Sequence, residues 1–248
     1  MLTVEGFEDL VSFDAFERAL TQPGRWVAGI DFPFGQSRKL VSNLGWPLAW
    51  SDYVGLVAGM TREQFVETLE AYKAQRPAGD KEHRRRTDQQ AGSISPQKLY
   101  GVPVGKMFYE GARRLLRSPV SIVPVRPTAD DRVVLEAYPA LVARRWAGRD
   151  GYKSDTRSKQ TDAQRATRER IVAGLASWQS RETYGIDLAC TAQHRARVID
   201  DATGDQLDAL LCAVQAASAW LQRDAGYGVP EDADVLEGWI VDPALLPA

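Results

Sequence analysis

The sequence predicts an α/β protein in which a partly parallel sheet is flanked by helices. Two apolar runs, residues 26–30 and 133–135, have the length of buried strands, and segments with helical periodicity lie between and after them. Both runs end in an acid that is followed by a proline within three residues. A long and almost uncharged helix is predicted near the carboxyl end of the sequence. Strands that alternate with helices in this way are typical of parallel sheets.

Local signals predict the first elements in order. Residues 2–5 alternate between apolar and polar types, which indicates the end of a strand. Residues 12–20 predict a short amphipathic helix with Ser12 as its N-cap. Residues 25–31 predict the first main strand, which Pro33 stops.

Residues 36–125 predict a helical insertion between the two main strands. One helix is expected at residues 61–74, where Thr61 and Gln64 form a capping box, and another at residues 105–116. Three aromatic residues early in the insertion either pack it or stack on bases: Trp46, Trp50 and Tyr53.

The second half of the chain carries the remaining elements. Residues 132–137 predict the second main strand, and a helix follows to Trp146. Further helices are expected at residues 161–178 and 203–223, and a late edge strand at residues 236–241. We therefore expect the whole chain to form one domain.

Composition excludes several classes of protein. The 248 residues include 31 basic and 33 acidic side chains, and the net charge of −2 provides no global positive field. With two cysteines and two histidines, the sequence favours neither a disulfide framework nor a histidine-rich zinc site. No signal peptide is evident, and no apolar run approaches the roughly 20 residues of a membrane span. We therefore expect a reduced, cytoplasmic protein with no membrane partner.

Four acids are the candidate catalytic and metal-binding residues: Asp31, Glu136, Asp205 and Asp208. The first two follow the main strands, so they lie at one sheet edge if those strands are parallel neighbours. Asp205 and Asp208 lie three residues apart on one face of the apolar helix. Burying such acids is unfavourable unless a cation neutralises them. The pattern predicts a site for two Mg²⁺ or Mn²⁺ ions that support phosphodiester hydrolysis.

Each acid also has a structural interpretation. A strand-end acid can accept hydrogen bonds from loop amides or pair with an arginine. Asp205 lies in the predicted first turn of its helix, where a negative charge interacts favourably with the helix dipole. Thr203 and Gln206 predict a capping box there, and Asp208 is expected beyond the first turn, where the dipole benefit fades.

Two basic clusters are candidate sites for a substrate phosphate. The first contains Arg84, Arg85, Arg86 and Lys98, and the second contains Lys153 and Arg157. Guanidinium groups bind phosphate bidentately, so both clusters can hold a nucleic-acid backbone. Asp88 can orient one of the arginines. A solvated run of charges is the alternative interpretation of both clusters.

Five motifs, in this order, make the chain similar to the domain-of-unknown-function family numbered 429. They lie at residues 29–35 (GIDFPFG), 84–88 (RRRTD), 95–98 (SPQK), 136–139 (EAYP) and 204–209 (GDQLDA). The family is regarded as predicted nucleases of the RNase H-like superfamily. The resemblance implies an RNase H-like mixed sheet flanked by helices, metal-dependent nuclease activity with Mg²⁺ or Mn²⁺, and a nucleic-acid partner.

The resemblance also assigns roles to the acids. In the resolvase-like branch, an acid ends the fourth strand, which Asp31 would match, and Asp205 and Asp208 would match a pair on the last helix. Glu136 would lie on the fifth strand. The leading aspartate of the superfamily has no counterpart upstream of Asp31, so we expect missing amino-terminal strands, an exposed sheet edge and doubtful activity. A non-catalytic nucleic-acid-binding module and a small-molecule phosphohydrolase are the alternatives.

Overall fold

Most of the predicted strands and helices are present in the computed structural model, which describes residues 1–246. The strands are β1 (Leu2–Thr3), β2 (Trp26–Ile30), β3 (Ser121–Val123), β4 (Arg132–Glu136) and β5 (Leu188–Ala189). The helices are α1 (Phe13–Leu20), α2 (Arg38–Asn43), α3 (Trp50–Ala58), α4 (Arg62–Ala74), α5 (Arg86–Ala91), α6 (Val104–Arg117), α7 (Pro139–Ala147), α8 (Asp162–Leu175), α9 (Trp178–Tyr184), α10 (Ala192–Asp200) and α11 (Asp205–Leu221).

These elements divide between two units, each with its own apolar core. The helical unit comprises residues 1–10, 137–228 and 241–243. The sheet unit comprises residues 11–136, 229–240 and 244–246. The chain is thus a mixed α/β protein with small parallel sheets and many helices, while the expectation of a single domain stays a prediction.

A three-stranded parallel sheet with the order β2-β4-β3 organises the sheet unit. β2 and β4 are neighbours, and their register sets Ile30 opposite Glu136. The two main strands are therefore parallel neighbours, which is the condition under which Asp31 and Glu136 lie at one sheet edge. The late edge strand at residues 236–241 is reduced to one parallel bridge between Ile240 and Glu136. β3 was not predicted, because its three residues are too few to show a pattern.

The insertion folds around an aromatic core. Trp46, Trp50 and Tyr53 are all buried there, which confirms that they pack the insertion. The capping box of Thr61 and Gln64 is present at the start of α4. α2, α3 and α5 were not predicted.

The helical unit packs α7, α8, α9 and α10 with α11, and a two-stranded parallel sheet joins β1 to β5. α11 is buried on several sides, as its apolar composition predicts: Leu207, Leu211, Val214, Ala216 and Ser218 are all inaccessible or nearly so. Within residues 1–246, no helix has both the length and the apolar character that crossing a membrane requires.

Three local predictions in the helical unit were wrong. The helix expected at residues 161–178 ends at Leu175, and a separate helix, α9, begins at Trp178. The capping box of Thr203 and Gln206 is absent, because Gly204 is the N-cap with φ of 78°. Asp201 takes the predicted role of Thr203.

The carboxylate of Asp201 accepts a hydrogen bond from the backbone N–H of Gln206 at 3.0 Å and another from the hydroxyl of Thr203 at 2.5 Å. Asp208 lies inside the first turn of α11, not beyond it. The interaction with the helix dipole therefore extends to both aspartates of this turn.

Candidate functional site

The carboxyl ends of β2 and β4 bring two of the four predicted acids to one edge of the sheet. Asp31 directly follows Ile30, which is the register partner of Glu136. Asp31 is half-buried, whereas the side chain of Glu136 is only 2% exposed. In α/β sheets this edge is where ligands bind.

Glu136 is neutralised by an arginine of the insertion. Arg85 Nη2 donates to Glu136 Oε1 at 2.6 Å, and Arg85 Nη1 donates to Glu136 Oε2 at 2.8 Å. The backbone N–H of Phe34 also donates to Oε2, at 2.9 Å. Both carboxylate oxygens of Glu136 are therefore engaged by donors of the protein itself.

The other donors of Arg85 are also satisfied. Its Nε donates to Asp88 Oδ2 at 2.9 Å, and Nη2 donates to Asp88 Oδ1 at 2.8 Å. Nη1 additionally donates to the carbonyl oxygen of Glu237 at 3.0 Å. All five N–H groups of the guanidinium thus have acceptors, although the side chain is only 1% exposed. The prediction that Asp88 orients one of the arginines is confirmed.

Burial and charge act in opposite directions on this cluster. Burial disfavours the charged form of Arg85, but the carboxylates of Asp88 and Glu136 outweigh it and hold the pKa of the arginine well above its ordinary value. Two carboxylates share this one guanidinium. Burial raises the pKa of Glu136, and the negative charge of Asp88 adds to that shift. Arg85 opposes the shift.

A second buried acid, Glu237, is not among the acids that the sequence singles out. Its carboxylate accepts the backbone N–H of Arg38 at 2.7 Å and that of Arg86 at 3.1 Å. Burial raises the pKa of Glu237. These bonds hold the first residues of α2 and α5 beside Glu237. No motif predicted this role, because Glu237 lies about 150 residues beyond Arg86 in the chain.

The residues on either side of Arg85 face solvent. We call residues 81–102 the basic segment. Within residues 1–246, Lys81 and Arg84 are exposed and make no side-chain hydrogen bond or ion pair. Arg86 forms an ion pair with Asp232 at 2.6 Å.

His83 fixes the backbone of the basic segment. Its Nε2 lies 2.6 Å from the hydroxyl of Tyr72, and its backbone N–H donates to Gln97 Oε1 at 2.7 Å. Ser95 Oγ donates to the carbonyl oxygen of His83 at 2.7 Å. Burial lowers the pKa of the imidazole. The SPQK motif at residues 95–98 thus has a structural role, while its lysine, Lys98, lies 5.0 Å from the ring of Tyr100.

The helical unit holds the other two predicted acids on the first turn of α11. Asp208 Oδ1 accepts a hydrogen bond from the hydroxyl of Tyr152 at 2.7 Å, and Oδ2 contacts the ammonium of Lys153. Burial raises the pKa of Asp208, and Lys153 and Tyr152 oppose the shift. Asp205 and Arg157 are exposed. Lys153, predicted to bind substrate phosphate, therefore neutralises an acid of the protein.

These contacts bear on whether the acids fit a pair of divalent metals. Glu136 and Asp208 each have both oxygens engaged by protein donors, and each lies against a cationic side chain. Among the residues described, 1–246, no group of three or more His, Cys, Asp or Glu side chains is arranged to hold a metal ion. Protein donors thus hold Glu136 and Asp208 in this arrangement, and the two-metal site stays a prediction.

A family model described as "Protein of unknown function (DUF429)" matches residues 2–235. No curated protein and no solved structure matches the chain.

Replacing Arg85 tests the buried cluster. We expect Arg85→Met to lower the free energy of unfolding by about 3–5 kcal/mol, because it leaves two buried carboxylates without their cation. Urea unfolding monitored by tryptophan fluorescence measures this change. Arg84→Met, at the exposed neighbour, is the matched control and should change stability by less than about 0.5 kcal/mol. Equal effects of the two substitutions would contradict the cluster.

The raised pKa of Asp208 predicts a dependence of stability on pH. Between its ordinary pKa and the raised one, the folded protein binds more protons than the unfolded chain, so the contribution of Asp208 to the free energy of unfolding falls as pH rises. Asp208→Asn removes this fall, and the variant should gain stability relative to the wild type over that interval. Urea unfolding from acid to neutral pH measures the difference. Asp205→Asn, on the same turn, is the control, and parallel curves for wild type and Asp208→Asn would oppose the assignment.

Proposed function

We propose that this chain, which belongs to the DUF429 family, binds the phosphate backbone of nucleic acid through its basic segment. The proposal rests on two exposed cations, Lys81 and Arg84. Buried hydrogen bonds hold the backbone of their segment in place. We also propose that the chain has an RNase H-like architecture with a mixed sheet. That architecture implies descent from nucleases. DNA or RNA is the partner.

Preorganisation of the segment supports binding. Arg85 anchors the basic segment at one residue and His83 anchors it two residues earlier, and Arg84 lies between these anchors with its side chain in solvent. A cation on a fixed backbone loses less conformational entropy when it binds phosphate than one on a mobile loop. Arginine also offers a planar fork of donors that matches phosphate oxygens.

An exposed aromatic residue gives the segment a second property of nucleic-acid surfaces. Tyr100 is 66% exposed, and the ammonium of Lys98 lies 5.0 Å from its ring. Aromatic rings beside cations stack on unpaired bases while the cations contact the backbone. This combination favours single-stranded nucleic acid as the ligand.

A second candidate function is the phosphodiester hydrolysis that the family resemblance implies, with Mg²⁺ or Mn²⁺. The observation that favours it is the register of β2 and β4, which supports Asp31 and Glu136 as one cluster at the ligand-binding edge. Because Arg85 occupies Glu136, hydrolysis through this acid requires the ion pair to open. The metal-binding role of Asp205 and Asp208, which lie in the helical unit, stays a separate prediction. The third candidate, hydrolysis of small phosphate esters, shares Asp31 and Glu136.

Salt-dependent binding tests the first proposal. We expect the wild type to bind labelled single-stranded oligonucleotides at low salt, with an affinity that falls steeply as salt is added. Arg84→Ala should weaken binding and reduce the slope of log K against log salt by about 1, the effect of one lost phosphate contact. Fluorescence anisotropy measures both quantities.

The control for this experiment is Arg117→Ala. Arg117 is exposed but ends α6 immediately before β3 begins, so it lies at the amino-terminal edge of the sheet. Its substitution should leave binding unchanged. No affinity for any oligonucleotide at low salt, or equal losses in both variants, would reject the basic segment as the binding surface.

Cleavage assays test the second candidate. We expect labelled DNA or RNA to be cut only when Mg²⁺ or Mn²⁺ is present, and Asp31→Asn to abolish cutting while Asp14→Asn, at an exposed acid of α1, does not. A panel of nucleotides and phosphate esters assayed in parallel separates a nuclease from a small-molecule phosphohydrolase. Cleavage that is undiminished in Asp31→Asn would remove this residue from the proposal.

A further inference from the structure

Residues of α4 and of the basic segment line a cavity of about 570 Å³. Five of them carry its chemistry: Glu70 and Lys73 of α4, and Lys81, Glu82 and Tyr100 of the basic segment. All five belong to the sheet unit. The volume lies within the range of sites that bind small ligands, roughly 300–1,000 Å³.

The two acids of this cavity have oxygens to offer a ligand. Lys73 is only 7% exposed, and its ammonium lies 3.0 Å from Glu82 Oε1 and 3.5 Å from Glu70 Oε1. Within residues 1–246, the second oxygens of Glu70 and Glu82, Oε2 in both, accept no hydrogen bond. The side chain of Glu70 is 56% exposed and that of Glu82 23%, so Glu70 is the more accessible. Because ionised carboxylates only accept hydrogen bonds, the cavity favours a ligand that donates one.

Two other residues of the cavity are open to a ligand. The ring of Tyr100 is 66% exposed, and Lys98, which contacts this ring, is not among the residues that line the cavity. In the part of the chain that the structure describes, Lys81 is exposed and forms no side-chain hydrogen bond or ion pair. An aromatic ring stacks on a base, and a lysine contacts a phosphate. Together with a carboxylate, these groups match the parts of one nucleotide.

Side-chain contacts hold the walls of the cavity together. The hydroxyl of Tyr72 on α4 lies 2.6 Å from Nε2 of His83 in the basic segment. The ion pair of Lys73 with Glu82 is a second link between the same two elements. A site that is already ordered loses less conformational entropy when a ligand binds.

We propose that this cavity takes one unpaired base that carries an exocyclic amino group, such as cytosine. The base stacks on Tyr100, its amino group donates to the carboxylate of Glu70, and Lys81 contacts the neighbouring phosphate. Cytosine presents the N4 amino donor where thymine presents the O4 acceptor, so thymine would set an oxygen against the carboxylate. This inference rests on the proposed binding of nucleic acid by the basic segment, to which it adds a preference among bases.

Replacing Glu70 tests the preference. The probes are labelled single-stranded oligonucleotides of equal length, one of deoxycytidine and one of thymidine, and fluorescence anisotropy gives their affinities. We expect the ratio of the deoxycytidine affinity to the thymidine affinity to fall at least about fivefold in Glu70→Gln, because glutamine also donates to O4 of thymine. Comparing ratios between variants cancels the different flexibilities of the two strands. Glu63→Gln, at an exposed acid of α4 outside the cavity, is the control and should keep the wild-type ratio.

Replacing Tyr100 tests the stacking. Tyr100→Ala should weaken the binding of both oligonucleotides at least about fivefold. It should leave the slope of log K against log salt unchanged, because no phosphate contact is lost, whereas Arg84→Ala reduces that slope. An unchanged ratio in Glu70→Gln, or unchanged affinity in Tyr100→Ala, would overturn this inference while binding that depends on Arg84 still supports the proposed function. No binding of either oligonucleotide at low salt would overturn both.

Discussion

The buried guanidinium of Arg85 is the constraint on which the carboxyl edge of the sheet depends. It joins the end of β4, the first turn of α5 and the carbonyl oxygen of Glu237, and every one of its donors has an acceptor. The chain approaches this cluster so closely that a Cβ at Gly35 would collide with the backbone of Glu237. Gly238 has φ of 82°, a conformation that favours glycine. The close approach of the backbone and the buried ion pairs therefore occur at the same place in the fold.

The same constraint determines which basic residues can meet a ligand. Three consecutive arginines begin the RRRTD motif, but the turn into α5 buries Arg85 and leaves Arg84 and Arg86 in solvent. The inner arginine neutralises Asp88 and Glu136, and the sequence suggests Glu136 as a metal ligand. The outer ones carry positive charge beside a sheet edge that would otherwise be acidic. A protein cation thus neutralises Glu136 in this arrangement.

Local features of the fold were predictable from sequence, and distant partnerships were not. The acids after the two main strands and the capping box of Thr61 follow from residues within a few positions, so their patterns are visible in the chain. The pairing of Arg85 with Glu136 spans 51 residues, and nothing distinguishes Arg85 from its neighbours before the backbone turns. Short helices such as α2 were missed because six residues show little periodicity. The cap of α11 was misassigned because Asp201 accepts the hydrogen bond expected of Thr203.

The most direct measurement of this account is a double-mutant cycle between Arg85 and Glu136. The free energy of unfolding is measured for the wild type, Arg85→Met, Glu136→Gln and the variant that carries both substitutions. If the ion pair organises the sheet edge, the double variant is more stable than the sum of the single losses allows, with a coupling energy of about 2–3 kcal/mol. Additive losses, within about 0.5 kcal/mol, would contradict the account.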